Sequence, residues 1–343
     1  MKKSLLSAVI ISVVSFSSFS ALANDPQIYG RLDFSVTHSD NGTTTQNGKS
    51  GTVIENNFSK IGLKGSEKIA KGIELLYKME VQVHSATQSD DVFTPRNTYL
   101  GLKSNLGTFL VGRNDTVFKT SKGNAETFAL TNAAYNRMIG GQVRKGDGFT
   151  YYSPKIAGLF NFNATYLMDD NYQGNDDEQY ALNVVFGDKK LNKSNYYVSA
   201  AYNTVGGIDA YRGVAQVKIN NLKLAGLFQN TQSQSYEDKN GNSYFVAAIY
   251  NFNGVNLKAE YGKDKAGFGK YFKNSALSSA DYSEATDVDI DSLVIGADYK
   301  LSKSTTVYAH FAAYSGEYRI ANAGPMIELE DDNITSVSIR YDF

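Results

Sequence analysis

The sequence predicts an all-β fold, a transmembrane antiparallel β-barrel of about sixteen strands. Three observations support this prediction. Apolar and polar residues alternate along about sixteen short segments, and this is the period of a β-strand. The connections between these segments alternate between short and long, as they do in bacterial membrane barrels. The chain is also rich in Tyr (24), Phe (19) and Gly (30) but has only 4 Pro, which favours strands and turns over helices.

The clearest strand is the last one, residues 334–343. From Thr335 to Phe343 the odd-numbered positions are mostly apolar and the even-numbered positions are polar. Such a strand can place one face against lipid and the other against water. The first strand, residues 27–37, has the same pattern, and we expect the last strand to close the barrel against it. Tyr341 and the chain-terminal Phe343 are the candidate signal for closure and assembly.

The other strands follow from the same alternation. We predict them near residues 59–65, 73–84, 97–103, 108–113, 149–153, 159–168, 179–186, 196–203, 211–219, 222–229, 243–250, 255–262, 292–301 and 305–315. The lipid-facing side is clear in most of these segments. It is ambiguous in 97–103, 222–229 and 243–250, because both faces carry apolar residues there.

The connections separate into two classes. Asn220-Asn221, residues 252–254 and residues 302–304 are tight turns, whereas the long polar connections are 40–51, 169–178, 231–242, 263–289 and 316–332. Short turns on one side of the membrane and long loops on the other are typical of outer-membrane barrels. No linker divides the chain, so residues 24–343 are predicted to form a single domain.

Residues 1–23 have the pattern of a secretory signal. Lys2 and Lys3 form a basic start, residues 5–19 an apolar core, and Ala21-Leu22-Ala23 a small-residue cleavage site, as in cleaved signal peptides. We expect the mature chain to begin at Asn24. The alternative is an N-terminal membrane anchor.

Charge and cysteine content exclude several classes of function. Removal of the leader leaves 32 basic and 35 acidic side chains, a net charge of −3, and no basic surface for nucleic acid stands out. The absence of Cys excludes a disulfide framework, a thiolate nucleophile and a thiolate metal site.

Several segments together resemble the general porins of Gram-negative outer membranes. They are IYGRLDFSV (28–36), SKIGLKGSE (59–67), TYLGLKSNLGTFLVGRND (98–115) and the terminal aromatic strand. The resemblance implies sixteen strands, a homotrimer, and a third outer loop folded into the lumen as a constriction. It further implies a protein of the Gram-negative outer membrane that contacts lipid and lipopolysaccharide, is inserted by the barrel assembly machinery, and passes small hydrophilic solutes.

The candidate for the inward loop is the long connection at residues 114–148. It contains apolar residues such as Phe118, Phe128, Tyr135 and Met138, and so much apolar content favours packing over exposure to solvent. The alternative is an ordinary surface loop with a short helix.

A diffusion channel needs a narrow polar section whose opposed charges select solutes. By position, Lys60, Arg96 and Arg144 match the basic wall cluster of the resembling family. Glu126 and Asp115 are the candidates for the facing carboxylates on the loop, with Asp147 in reserve. Lys60 is the best supported, because its parity is opposite to that of the lipid-facing Ile61 and Leu63.

Other polar clusters predict no catalytic site, cofactor or metal. The acidic groups Asp287, Asp289 and Asp291 and residues 330–332 could bind Ca²⁺ or Mg²⁺ through oxygen ligands. Their spacing lacks the glycine and closing Glu of a dedicated calcium loop, so solvated loop charge is favoured. The three histidines, His38, His84 and His310, lie in separate segments and form no catalytic or metal-ligand motif.

Four functions are compatible with these patterns. The favoured one is a passive porin, not an enzyme, that admits small hydrophilic solutes and ions. A substrate-specific channel for sugars or phosphate remains open. A barrel-based outer-membrane hydrolase and a soluble periplasmic β-protein or adhesin are less favoured.

Overall fold

The computed structural model describes residues 23–84, 91–168, 179–320 and 324–343. Residues 1–22, most of the predicted signal, lie outside the described residues. So does the predicted long connection 169–178.

The described residues form β-strands joined by turns and loops, with three short α-helices in the loops. The strands are β1 (Ala23–Ser39), β2 (Gly51–Asn56), β3 (Lys60–Ala70), β4 (Ile73–Val83), β5 (Phe93–Pro95), β6 (Thr98–Ser104), β7 (Gly107–Asp115), β8 (Arg144–Lys145), β9 (Gly148–Tyr152), β10 (Phe160–Leu167), β11 (Gln179–Gly187), β12 (Tyr196–Asn203), β13 (Ile208–Ile219), β14 (Leu222–Ser233), β15 (Asn240–Phe252), β16 (Val255–Asp264), β17 (Ala285–Lys300), β18 (Thr305–Ile320), β19 (Ile327–Glu328) and β20 (Asp332–Asp342). The helices are α1 (Val117–Thr120), α2 (Lys270–Ser275) and α3 (Ser279–Glu284).

These segments form a closed antiparallel barrel of sixteen strands, as the sequence predicts. Four of the sixteen barrel strands are each interrupted and consist of two segments that pair with the same neighbour. β2 and β3 both pair with β1, and β5 and β6 both pair with β4. Likewise β8 and β9 pair with β7, and β19 and β20 pair with β18.

The predicted pairing of the first and last strands is confirmed. β1 and β20 are antiparallel, and Leu32 lies opposite Tyr341. Beyond the end of β20, the amides of Gly30 and Phe343 each donate to the other's carbonyl at 2.9 and 3.1 Å. A Cβ at Gly30 would lie 2.2 Å from the Phe343 ring, so only glycine permits this close contact. The terminal aromatic ring therefore packs directly over the seam.

The two faces of the wall differ in polarity, as predicted for a membrane barrel. Ile28 and Val337 point outward with 65% and 64% of their surface exposed. The residues at the alternate positions of the same strands, such as Asp33 and Ser336, are buried in the interior. An apolar exterior around a polar interior suits a lipid surround.

The structure shows which face of segments 222–229 and 243–250 points outward. In β14 and β15, Leu224 and Val246 point outward and are exposed, whereas Leu227 and Phe245 point inward and are buried. Their sequence ambiguity has a physical cause, because the inner wall here is apolar as well.

The outer loops are more tightly packed than the sequence suggests. Residues 40–51 were expected to form an exposed loop, but Thr43, Thr44 and Thr45 are buried. The Asp332 carboxylate accepts hydrogen bonds from the backbone and side chain of Thr43, at 2.8 and 2.5 Å, and from Ser39 at 2.7 Å. A carboxylate that accepts several hydrogen bonds can be buried, and this one fixes the first loop to the last strand.

We expect Val337→Arg to impair membrane insertion. Val337 lies at the middle of β20 and faces outward, and a lipid-facing Arg near the bilayer midplane costs roughly 2–4 kcal/mol. Urea unfolding in lipid vesicles measures the change, with Val337→Thr as the uncharged control of similar shape. A larger loss of stability from Lys223→Glu, an inward position with no ion pair among the described residues, would show that the face assignment is wrong.

Candidate pore constriction

The segment between β7 and β9 enters the barrel and packs against its inner wall. In α1, the Val117 amide donates to Thr165 Oγ1 on β10 at 3.1 Å, and the Asn183 side chain on β11 donates to the Val117 carbonyl at 2.6 Å. The Phe118 ring is fully buried, and the Arg212 guanidinium lies 3.9 Å from its centroid. The predicted inward loop is therefore present, and we call residues 116–143 the lumen loop.

The far end of the lumen loop reaches the opposite side of the barrel. The Asn132 amide donates to Thr37 Oγ1 on β1 and Ser336 Oγ on β20, at 3.2 and 3.0 Å. It also donates to Glu55 on β2, while its oxygen lies 2.7 Å from His310 Nε2 on β18. The loop thus spans the lumen and narrows it.

One basic cluster is organised around the buried Glu80. Its carboxylate lies 3.0 Å from Lys60 Nζ, 3.4 Å from Lys78 Nζ and 2.7 Å from Arg96 Nε. Glu80 is only 2% exposed, and a buried carboxylate requires such charged partners. The structure brings Lys60 and Arg96 together as the sequence expects, but around an acid that was not among the candidates. Its inward parity in β4 was the signal that could have identified it.

The second basic cluster contains one of the predicted acids. Asp115, the last residue of β7, lies 3.0 Å from Arg144 Nε and 2.8 Å from Lys119 Nζ. Arg144 also donates to the Asn97 side chain at 2.6 Å. Asp115 therefore lies beside Arg144 and forms an ion pair with it. The expected position of Asp115 was on the loop, facing Arg144 across the lumen. Burial lowers the pKa of Lys119, an effect that Asp115 opposes.

Glu126 lies on the lumen loop, as expected, but it is not a free carboxylate. It forms an ion pair with Lys122, four residues earlier in sequence. The next residue, Thr127, donates its amide to Glu260 on the wall at 3.2 Å, and its carbonyl accepts from Lys258 at 3.1 Å. These wall contacts hold Glu126 at the lumen.

A cavity of about 650 Å³ lies next to these groups. Arg96, Arg144, Asp115 and Glu126 line it, whereas Lys60 lies behind Arg96 at Glu80. Among the described residues, the basic side chains on the cavity are Arg96, Lys119, Lys122, Arg144, Lys189, Lys190 and Lys223. Its acidic side chains there are Asp115 and Glu126, and each is already ion-paired. The cavity therefore carries an excess of positive charge.

Part of the same cavity is apolar. Ala225 on β14 lies opposite Ala247 on β15, and Ile249 follows two residues later on the inner face. Leu191, from the turn between β11 and β12, joins them at the cavity. Sequence reasoning missed this patch, because inward positions of a barrel are expected to be polar.

The remaining polar candidates have structural contacts. His310 contacts Asn132, as described above, while His38 and His84 lie 3.0 Å from the Thr52 and Thr94 hydroxyls. Asp289 and Asp291 pair with Lys263 at 2.6 and 3.1 Å. Within the described ranges, no group of three or more His, Cys, Asp or Glu side chains could hold a metal ion. No helix in that part of the chain is long and apolar enough to cross a membrane.

Comparison with known proteins gives consistent matches over nearly the whole chain. The profile of the Gram-negative porins matches residues 7–318. The major outer membrane protein P.IB of Neisseria meningitidis serogroup B is 26% identical over 331 residues, covering 89% of this chain and 91% of the relative. The monosaccharide porin of a Halomonas species is 24% identical, covering 92% and 96%.

Solved structures show the same fold. The anion-selective porin from Comamonas acidovorans superposes with a TM-score of 0.69 at 19% identity, covering 93% of this chain and 99% of that one. The trimer form of OmpT from Vibrio cholerae gives 0.66 at 16% identity, covering 94% and 100%. With the closed barrel and its lumen loop, these matches show that the chain belongs to the Gram-negative porin family and is an outer-membrane channel, not an enzyme.

Proposed function

We propose that this porin is a diffusion channel that favours small anions. The observation that supports the proposal is the charge of the cavity: seven basic side chains line it in the described part of the chain, against two acidic ones. A confined space lined by one sign of charge concentrates ions of the opposite sign. The net charge of −3 for the mature chain does not oppose this, because selectivity depends on the narrow section.

The two acids on the cavity reduce this excess only in part. Asp115 is shared between Arg144 and Lys119, and Glu126 is paired with Lys122. Lys189, Lys190 and Lys223 form no ion pair among the described residues. Lys60, Arg96 and Arg144 are then the basic wall of the constriction. Glu80 holds Lys60 and Arg96 in position, Asp115 holds Arg144, and Glu126 holds the neighbouring Lys122.

Family membership supports a proposal for the oligomeric state and the surroundings of the chain. We place the chain in a homotrimer, as in the trimer form of OmpT, surrounded by outer-membrane lipid and lipopolysaccharide and inserted by the barrel assembly machinery. Tyr341 and Phe343, at the seam, act as the assembly signal. Detergent extracts should contain an oligomer that dissociates on heating, and a heat-insensitive monomer would contradict the trimer.

A substrate-specific channel is the second candidate, supported by the relative named a monosaccharide porin. Vesicle-swelling rates separate the two functions. Glucose uptake that saturates, and that chloride does not affect, would favour a sugar channel. Saturation by inorganic phosphate would favour a phosphate channel.

We expect the reversal potential in a KCl gradient to show chloride preference. The double variant Lys190→Glu/Lys223→Glu should shift it toward potassium, because it changes the cavity charge by four. Planar-bilayer recordings measure the shift. Lys303→Glu, in a turn that does not line the cavity, is the matched control and should leave the potential unchanged. Potassium preference in the unmodified protein would refute the proposal.

We expect Glu80→Gln to destabilise the barrel, by about 3 kcal/mol, because removal of one partner leaves the other buried charges uncompensated. Anion preference should rise at the same time. Urea unfolding and reversal potential measure the two effects. Glu74→Gln, on the same strand but in an exposed pair with Lys103, is the control and should change neither. An unaltered reversal potential in Glu80→Gln would show that Glu80 does not influence the ion selectivity of the pore.

We expect intact-mass measurement of the purified outer-membrane protein to give a chain that begins at Asn24. The signal of residues 1–23 ends in a small-residue cleavage site. Ala23→Arg should block this cleavage, with Ser20→Ala as the control. A mature protein that retains residues 1–23 would identify an anchor instead.

A further inference from the structure

We propose that the lumen cavity is a binding site for organic anions that carry an apolar body, such as alkyl carboxylates. This inference rests on the proposed anion preference and adds a substrate class to it. The observation behind it is that cationic and apolar side chains line one cavity of about 650 Å³. A volume of this size falls in the range of small-molecule sites.

The apolar part of the site is formed by neighbouring strands. Ala225 and Ala247 are directly opposed on β14 and β15, and their small side chains leave a recess in the wall. A hollow of about 10 Å³ continues this recess between the two alanines and Tyr135 of the lumen loop. Glu260 also lines the hollow, and its carboxylate accepts from the Thr127 amide. Such a hollow is at the lower limit for holding one water molecule. The recess therefore offers an apolar surface to a ligand.

Charge borders this apolar surface directly. Ile249, on β15, points into the lumen. Lys223 lies opposite it on β14, and Lys258 lies opposite it on β16. Lys258 is paired with Asp298 at 2.5 Å, whereas Lys223 lines the cavity. A carboxylate at Lys223 would place its alkyl chain along Ile249 and the two alanines.

A pore for inorganic ions alone has no use for an apolar inner wall. Polar inward residues are the rule in barrels because they face water, and exposed apolar surface in a lumen is energetically unfavourable. The lumen loop covers Leu227 and Phe245, which are buried, so loop packing accounts for those two. Ile249 remains partly exposed at the cavity, and an apolar ligand is the occupant that its position favours.

Backbone strain at the same cavity agrees with a specific role. Phe58, between β2 and β3, has a φ of +63°, which bulky residues rarely adopt. Phe58 lines the cavity, and the Arg137 guanidinium lies 5.8 Å from the centroid of its ring. Residues held in such conformations cluster at functional sites.

The test is a homologous series of blockers in planar bilayers. Acetate, butanoate and hexanoate are added to channels that conduct chloride, and the concentration for half-block is determined for each. We expect block to strengthen by between about two- and fourfold per methylene, because each buried methylene contributes ~0.8 kcal/mol. Hexylammonium and hexanol have an alkyl chain one carbon longer than that of hexanoate, yet they should block far less, because they lack the carboxylate.

Two variants locate the site. Ile249→Ser should flatten the chain-length dependence, with block expressed relative to the variant's own chloride current. Val246→Ser, on the same strand but facing outward, is the matched control and should retain the full dependence. Retained chain-length dependence in a correctly folded Ile249→Ser channel would overturn the assignment.

The outcome separates this inference from the proposed anion preference. Chloride preference with equal block by acetate and hexanoate would refute the organic-anion site and leave anion preference intact. Potassium preference would refute both. Equal block by hexanoate and hexanol would show an apolar site without a role for the lysines, and would also overturn the proposal.

Discussion

Every backbone amide and carbonyl in the hydrocarbon layer must find a partner within the protein, and this requirement dictates the rest of the structure. A sheet can satisfy it only by closing on itself. Closure here depends on the register of β1 against β20. That register fixes which residues point inward, so the interior polar groups, the anchors of the lumen loop and the cavity all depend on it.

Because the wall is closed, function is decided by a few interior side chains. Glu80 and Asp115 each hold two or more cations close together, a placement that mutual repulsion would otherwise prevent. The acids therefore allow a high density of positive charge. The apolar patch around Ile249 lies on the same cavity, so positive charge and apolar surface meet at one place in the lumen.

The sequence was sufficient to predict the barrel, because the strand period and the alternation of loop lengths are local properties. The resemblance to porins implied an inward loop, and the apolar residues of 114–148 identified the segment that forms it. Periodicity could not fix the face of Arg96, because Pro95 and Thr98 are both exposed while Arg96 between them is buried, which breaks the alternation. Nor could it place Asp115, since the partner of a carboxylate depends on how β7 and β8 come together in three dimensions.

Asn132 bonds to Thr37 and Ser336, and these two residues face each other across the seam between the first and last strands. The docking place for the tip of the lumen loop is thus absent until the ring has closed. The tip of the lumen loop therefore has this set of polar partners only in a closed barrel. The contacts of its other end, to β10 and β11, do not require that closure.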